Sequence, residues 1–187
     1  MRELSLHILD LAQNSLRAGA GHISLSINEN ENGYFVFRLK DDGCGMSSAM
    51  LQKVRDPFVT TRTTRKVGMG IPFMDMVAQQ CGGRLDIISE PGKGTEIAAY
   101  FEAGNIDRPP LGDIAGSIKV LLAGAPHIKF DFTYSCGGRS MSFSTEQVRE
   151  ILGEACDFTN PEICGWIEGY LRQETEQVRR PAGMEDK

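Results

Sequence analysis

The sequence predicts an α+β fold, a two-layer sandwich with helices on one face of a mixed sheet. Three observations carry this. Segments with apolar residues at helical spacing take turns with segments that alternate apolar and polar residues. Over residues 3–101 the order is helix, two strands, helix, loop, helix, two strands. Glycine-bearing turns punctuate that order at its strand ends and helix starts.

Residues 3–18 form the first expected helix, with Leu4, Leu6, His7, Leu9, Leu11, Ala12 and Leu16 on one broad apolar face. Gly19 and Gly21 stop it. Residues 22–28 alternate, with Ile23, Leu25 and Ile27 on one side. Asn28 to Gly33 is a polar turn, and Tyr34 to Lys40 alternates again, giving an antiparallel hairpin. Residues 47–54 read as a short helix capped by Ser47 or Ser48. Arg55 to Val67 lacks periodicity and reads as a mobile loop. Helix returns over 69–80. Strands follow at Arg84–Ser89 and Thr95–Phe101, joined by a tight turn.

Residues 1–103 are thus expected to form one domain. Asn-Ile-Asp-Arg-Pro-Pro breaks the pattern and makes 104–110 a linker. Residues 111–178 follow as a small α-β-β-α-α region. Leu111, Ile114, Ile118, Leu121 and Leu122 mark its helix, and Cys136-Gly-Gly joins two alternating strands. Ser144-Thr-Glu-Gln147 starts a helix with a capping box, and Asn160-Pro161 opens the last one. That region has apolar surface for a small core or for packing on the first domain. Residues 179–187 are polar and expected to be disordered.

Composition narrows the function. The chain has 187 residues, a hydrophobic share of 41% and a net charge of −5, so a packed core is feasible and a chain-wide grip on nucleic acid is not expected. No apolar run is long enough for a transmembrane helix, and the start lacks a signal-peptide pattern, so a cytoplasmic protein is expected. The five cysteines are odd in number and form no Cys-x-x-Cys pair. They read as small, partly buried thiols rather than a disulfide or zinc framework.

Chemistry concentrates in a few segments. Asp10 and Asn14 are one helical turn apart and share a face. An amide oxygen there can ligate magnesium that bridges phosphates, while the carboxylate orients or deprotonates a water or hydroxyl. Asp42-Gly-Cys-Gly45 ends a strand, offering a carboxylate beside glycines that allow close backbone approach. Gly68-Met-Gly70 precedes a helix whose free amides suit an anion. The Thr60–Lys66 loop carries hydroxyls and cations that suit phosphates. Neither a Walker A loop nor the dinucleotide fingerprint is present.

The order and spacing of these segments resemble the ATP-binding domain shared by DNA gyrase, a heat-shock chaperone, histidine kinases and mismatch-repair ATPases, the GHKL superfamily with its Bergerat-type fold. Asp10-Leu-Ala-Gln-Asn14 is similar to the first box of that family, Asp42-Gly-Cys-Gly45 to the second, Gly68-Met-Gly70 to the third and Gly94-Thr95 to the last. The resemblance spans about residues 1–102 and implies ATP and Mg2+ as ligands. Asn14 would hold magnesium and Asp42 would accept from the adenine amino group. Gly43, Gly45, Gly68 and Gly70 would shape the pocket and lid hinges, and Thr95 would lie near the adenine. Met46, Phe58, Thr60, Thr61, Met69 and Ile71 complete the implied nucleotide-binding set. Asp10 matches the acid that activates water in the ATPases, where Glu is usual.

Asp56-Pro-Phe-Val-Thr-Thr61 and Gly92-Lys-Gly-Thr95 look most like the histidine-kinase branch. That branch places a phosphoacceptor His on a dimerisation domain ahead of the ATP domain, whereas Asp10 here lies near the start, so no such domain fits. His7, three residues before Asp10, reads as a packed helix histidine. The resemblance therefore implies an ATPase or a protein kinase acting on a partner, as the anti-sigma kinases of this branch do. The alternative is an ATP-gated module without turnover. A protein partner is expected at residues 111–178, and a homodimer stays open. Neither nucleic acid nor membrane is expected as a partner.

Overall fold

The computed structural model describes residues 3–54, 70–153 and 156–180. Six strands form one sheet in the order β3-β4-β2-β1-β5-β6. They are β1 (His22–Glu31), β2 (Tyr34–Asp41), β3 (Arg84–Glu90), β4 (Gly94–Glu102), β5 (Lys129–Cys136) and β6 (Arg139–Ser144). The helices are α1 (Leu4–Arg17), α2 (Ser48–Lys53), α3 (Gly70–Gln80), α4 (Ile114–Gly124), α5 (Thr145–Leu152) and α6 (Pro161–Arg179). The sheet is mixed: β1 and β5 run parallel, and every other neighbouring pair is antiparallel.

Strand parity selects the buried face. Ile23, Leu25 and Ile27 of β1, and Phe35, Phe37 and Leu39 of β2, are almost fully buried. Phe130, Phe132 and Tyr134 of β5 extend the same layer. Above it α1 packs Leu4, Ile8 and Leu11, spaced to share a face, and α4 adds Ile118 and Leu122. Local chemistry agrees with the expected boundaries: Ser47 caps α2, Ser144 caps α5, and Asn160 caps α6 with Pro161 in its first turn.

The segment expected to be a linker closes the fold. α1 has no side-chain cap, and its first amides would otherwise be orphaned. Leu4 N donates to Pro110 O at 2.9 Å and Ser5 N to Leu111 O at 2.8 Å. Residues 111–178 form no separate sheet: β5 pairs with β1 from His22↔Lys129 to Asn28↔Ser135, and a single buried cluster runs from Leu4 to Val178. The physical reason is the bare edge that β1 would otherwise present.

Candidate functional site

The candidate site lies where α1, the end of β2, the start of β4 and the start of α3 converge. β2 puts Phe35, Phe37 and Leu39 inward, so the next inward position is Asp41. Its side chain is buried, and Ser15 Oγ donates to Asp41 Oδ2 at 2.6 Å. Gly43 N at 3.0 Å and Thr95 N at 3.2 Å donate to Oδ1. Thr95 is also the register partner of Asp41 across β2 and β4. The carboxylate is thus fixed by three donors, from α1, from the second glycine segment and from β4.

Asp42 points elsewhere. It is exposed, and its Oδ1 accepts from Gly21 N and His22 N, both at 2.8 Å. The His22 amide, helped by that of Gly21, holds its carboxyl below the ordinary aspartate range. The Asp42 carboxylate ties the entry of β1 to the end of β2, and Asp41 occupies the buried position beside Thr95. Period-two alternation explains the difference, because one residue along a strand reverses the face.

Two glycines clasp the second segment against the turn between β3 and β4. Gly45 has φ +65° and Gly94 has φ +85°. A Cβ on Gly45 would lie 1.9 Å from Glu90 O, and one on Gly94 would lie 1.9 Å from Asp41 O. Only glycine tolerates both the left-handed backbone and that approach. Gly92 N donates to Cys44 O at 2.8 Å and completes the clasp. Met46 N donates to Ser89 Oγ at 2.8 Å, and Ser89 Oγ lies 2.8 Å from Thr95 Oγ1. Met46 and Thr95 therefore share one hydroxyl network.

The first and third segments also meet. α3 begins at Gly70, where a Cβ would lie 3.9 Å from Asn14 Nδ2 and 4.0 Å from the Asp10 Cβ. The N-terminal amides of α3 therefore open beside Asp10 and Asn14, where the helix dipole favours an anion. Asp10 is exposed and Asn14 half-buried, and Asn14 Oδ1 accepts from the Arg17 guanidinium. Ile71, the second residue of α3, packs against the core. Phe58, Thr60, Thr61, Gly68 and Met69 lie outside the described residues.

Ser15 was not among the expected site residues. It lies four residues beyond Leu11 on the buried face of α1, where a hydroxyl needs a partner. Among the described residues no group of three or more His, Cys, Asp or Glu is placed to hold a metal, and the five cysteines are unbridged. No helix among the described residues is long and apolar enough to cross a membrane.

The sequence model of the family described as "Histidine kinase-, DNA gyrase B-, and HSP90-like ATPase" matches residues 2–105. The sensor kinase CckA of Brucella abortus is 32% identical over 107 residues, which are 49% of this chain and 11% of CckA. The sensor histidine kinase ZraS of Escherichia coli is 26% identical over 106 residues, which are 56% of this chain and 23% of ZraS. The chain thus spans less than a quarter of either relative's length. Among solved structures, the N-terminal domain of a DNA repair protein superposes with a TM-score of 0.54 at 13% identity. That match covers 78% of this chain and 53% of the other, and it shows a shared fold.

Proposed function

The chain belongs to the histidine kinase-, DNA gyrase B- and HSP90-like ATPase family, and from that premise we propose that it is a Mg-ATP-dependent regulator that hydrolyses ATP or passes its γ-phosphate to a partner protein. Membership of the family brings ATP binding with it. The observation that carries the finer reading is the convergence of Asp41, Thr95, Gly70, Asn14 and Asp10 at one end of the sheet.

In this reading Asp41 takes the acid's role toward the adenine amino group. Its carboxylate is pre-set by Ser15, Gly43 and Thr95, so it needs little reorganisation to accept from a ligand N–H. The donor set also suits the implied groups. The bare Gly70 leaves room beside Asn14 and Asp10, and an amide oxygen with a carboxylate is the ligand chemistry magnesium takes. Asn14 would release Arg17 and turn its oxygen to the ion. Bound magnesium would offset phosphate charge, and the α3 amides would add their dipole. Asp10 would orient the attacking hydroxyl or water and accept its proton. The partner is expected on residues 111–178.

A second reading is a nucleotide-gated module without turnover, favoured by the short reach of Asp10, one methylene less than Glu. One assay separates the two. Labelled γ-phosphate ATP is incubated with the protein, and label is followed on free phosphate, on the chain and on candidate partners. Transfer or release that Asp10→Asn abolishes supports the enzyme. Saturable binding with no release above background supports the gated module.

A further inference from the structure

Ser89 stands near the end of β3, where Leu85, Ile87 and Ser89 alternate toward the core, and its side chain is buried. Its hydroxyl meets three groups. Met46 N donates to Ser89 Oγ at 2.8 Å, Gly94 O lies 2.9 Å away, and Thr95 Oγ1 lies 2.8 Å away. One assignment of protons makes all three bonds. A backbone N–H only donates and a carbonyl oxygen only accepts, so the single Ser89 proton goes to Gly94 O. Thr95 Oγ1 then donates to Ser89 Oγ. The reverse direction, from Ser89 to Thr95, would leave the lone pairs of Ser89 Oγ and Gly94 O facing each other in a buried place.

The consequence falls on the site. The Thr95 hydroxyl has one proton, and it is committed to Ser89, so its oxygen offers only lone pairs to a ligand. Thr95 is also the register partner of Asp41, and directly opposite residues of an antiparallel pair share a face. The Asp41 carboxylate is an acceptor too, already holding Thr95 N at 3.2 Å. Two acceptors therefore stand next to each other, and the polarity of one of them is set by a residue on a third strand.

We propose that Ser89 is a positioning residue for base choice: it holds Thr95 as an acceptor, so that Asp41 and Thr95 together take both hydrogens of a purine 6-amino group. The inference rests on the reading in which Asp41 faces the adenine amino group. A primary amino group brings two N–H donors and satisfies both oxygens. A 6-oxo group brings none and sets a third oxygen against them. Without Ser89 the Thr95 hydroxyl is free to turn and donate to that oxo group. Ser89 itself touches no part of the nucleotide and acts through Thr95.

The probes are Mg-ATP and Mg-ITP, whose bases differ in the 6-amino group of one and the 6-oxo group, with a hydrogen on N1, of the other. Affinities of the full chain for both are measured by competition against a fluorescent ATP analogue. The unaltered protein is expected to prefer ATP by about 100-fold or more. Ser89→Ala is expected to shrink that preference by about 10-fold, mainly through tighter ITP binding. Ser89→Cys keeps the volume with only weak hydrogen bonding and is expected to act in the same direction, which covers a poorly folded alanine variant. Ser89→Thr retains the hydroxyl and is expected to keep the original preference. In a Thr95→Val background, Ser89→Ala is expected to change the preference no further. A merely structural serine would weaken both nucleotides alike, so an unchanged preference in Ser89→Ala and Ser89→Cys would overturn the proposal. So would a shift of equal size in the Thr95→Val background. An unaltered protein that binds ATP and ITP equally, or neither, would overturn the Asp41 reading and this inference with it.

Discussion

The hydroxyl of Ser15 donates to the carboxylate of Asp41 across 2.6 Å, joining the first helix to the inner end of β2. Both side chains are buried, so neither has water to fall back on. Ser15→Ala leaves one carboxylate oxygen without its donor. The expected loss is about 1–3 kcal/mol of unfolding free energy, read from urea denaturation, together with weaker nucleotide binding.

Gly94→Ala tests the clasp beneath the site. The new Cβ would overlap Asp41 O, and the residue would have to hold φ +85°. A loss of about 3 kcal/mol or more is expected from thermal unfolding. Gly92→Ala is the informative companion. It shares a positive φ but meets no atom within 4 Å, so it is expected to cost less.

Much of the fold was legible in local pattern. Alternation at Ile23, Leu25 and Ile27, the caps at Ser47, Ser144 and Asn160, and the Gly137-Gly138 turn between β5 and β6 all act within a few residues. The joining of β5 to β1 was not legible, since parallel pairing across about a hundred residues leaves no local trace. At the site, the expected Asp10 and Asn14 lie beside Gly70, and the expected Thr95 lies against Asp41. Asp41 was missed although its signal was present. Phe35, Phe37 and Leu39 set the inward parity, and Asp41 continues it while Asp42 does not. Ser15 was missed because a serine in an apolar row reads as a break in the face until its buried acceptor is seen.

Asp42 gives a pH dependence with a defined sign. Backbone amides of His22 and Gly21 hold its carboxyl below the ordinary value, so the ionised form favours the folded state. That stabilisation is fully present above the unfolded value of about 4 and fades as pH falls through the depressed folded value. Asp42→Asn removes this contribution and should flatten the stability profile below about pH 4. Denaturation midpoints measured from pH 6 to pH 2 check it.

The unity of the sheet is testable by truncation. A chain ended at residue 105 loses β5 from the edge of β1, α4 from the face of α1, and the Pro110 and Leu111 carbonyls that take the first α1 amides. It is expected to aggregate or to bind a dye for exposed apolar surface, because a bare hydrophobic edge strand invites pairing. Light scattering of the two chains at equal concentration makes the comparison. A monodisperse truncated chain with native stability would contradict the single-core description.

The role of Asp41 toward adenine is tested most directly by comparing Asp41→Asn with Asp42→Asn in calorimetric titrations with Mg-ATP. Both replacements keep size and remove one negative charge, so they differ in position alone. Asp41→Asn is expected to lower affinity at least about 10-fold, as loss of a charged hydrogen-bond acceptor does. Asp42→Asn should bind within about 2-fold of the unaltered protein, well inside the scatter of a surface change. Unchanged binding in Asp41→Asn, with affinity lost in Asp42→Asn, would contradict that role.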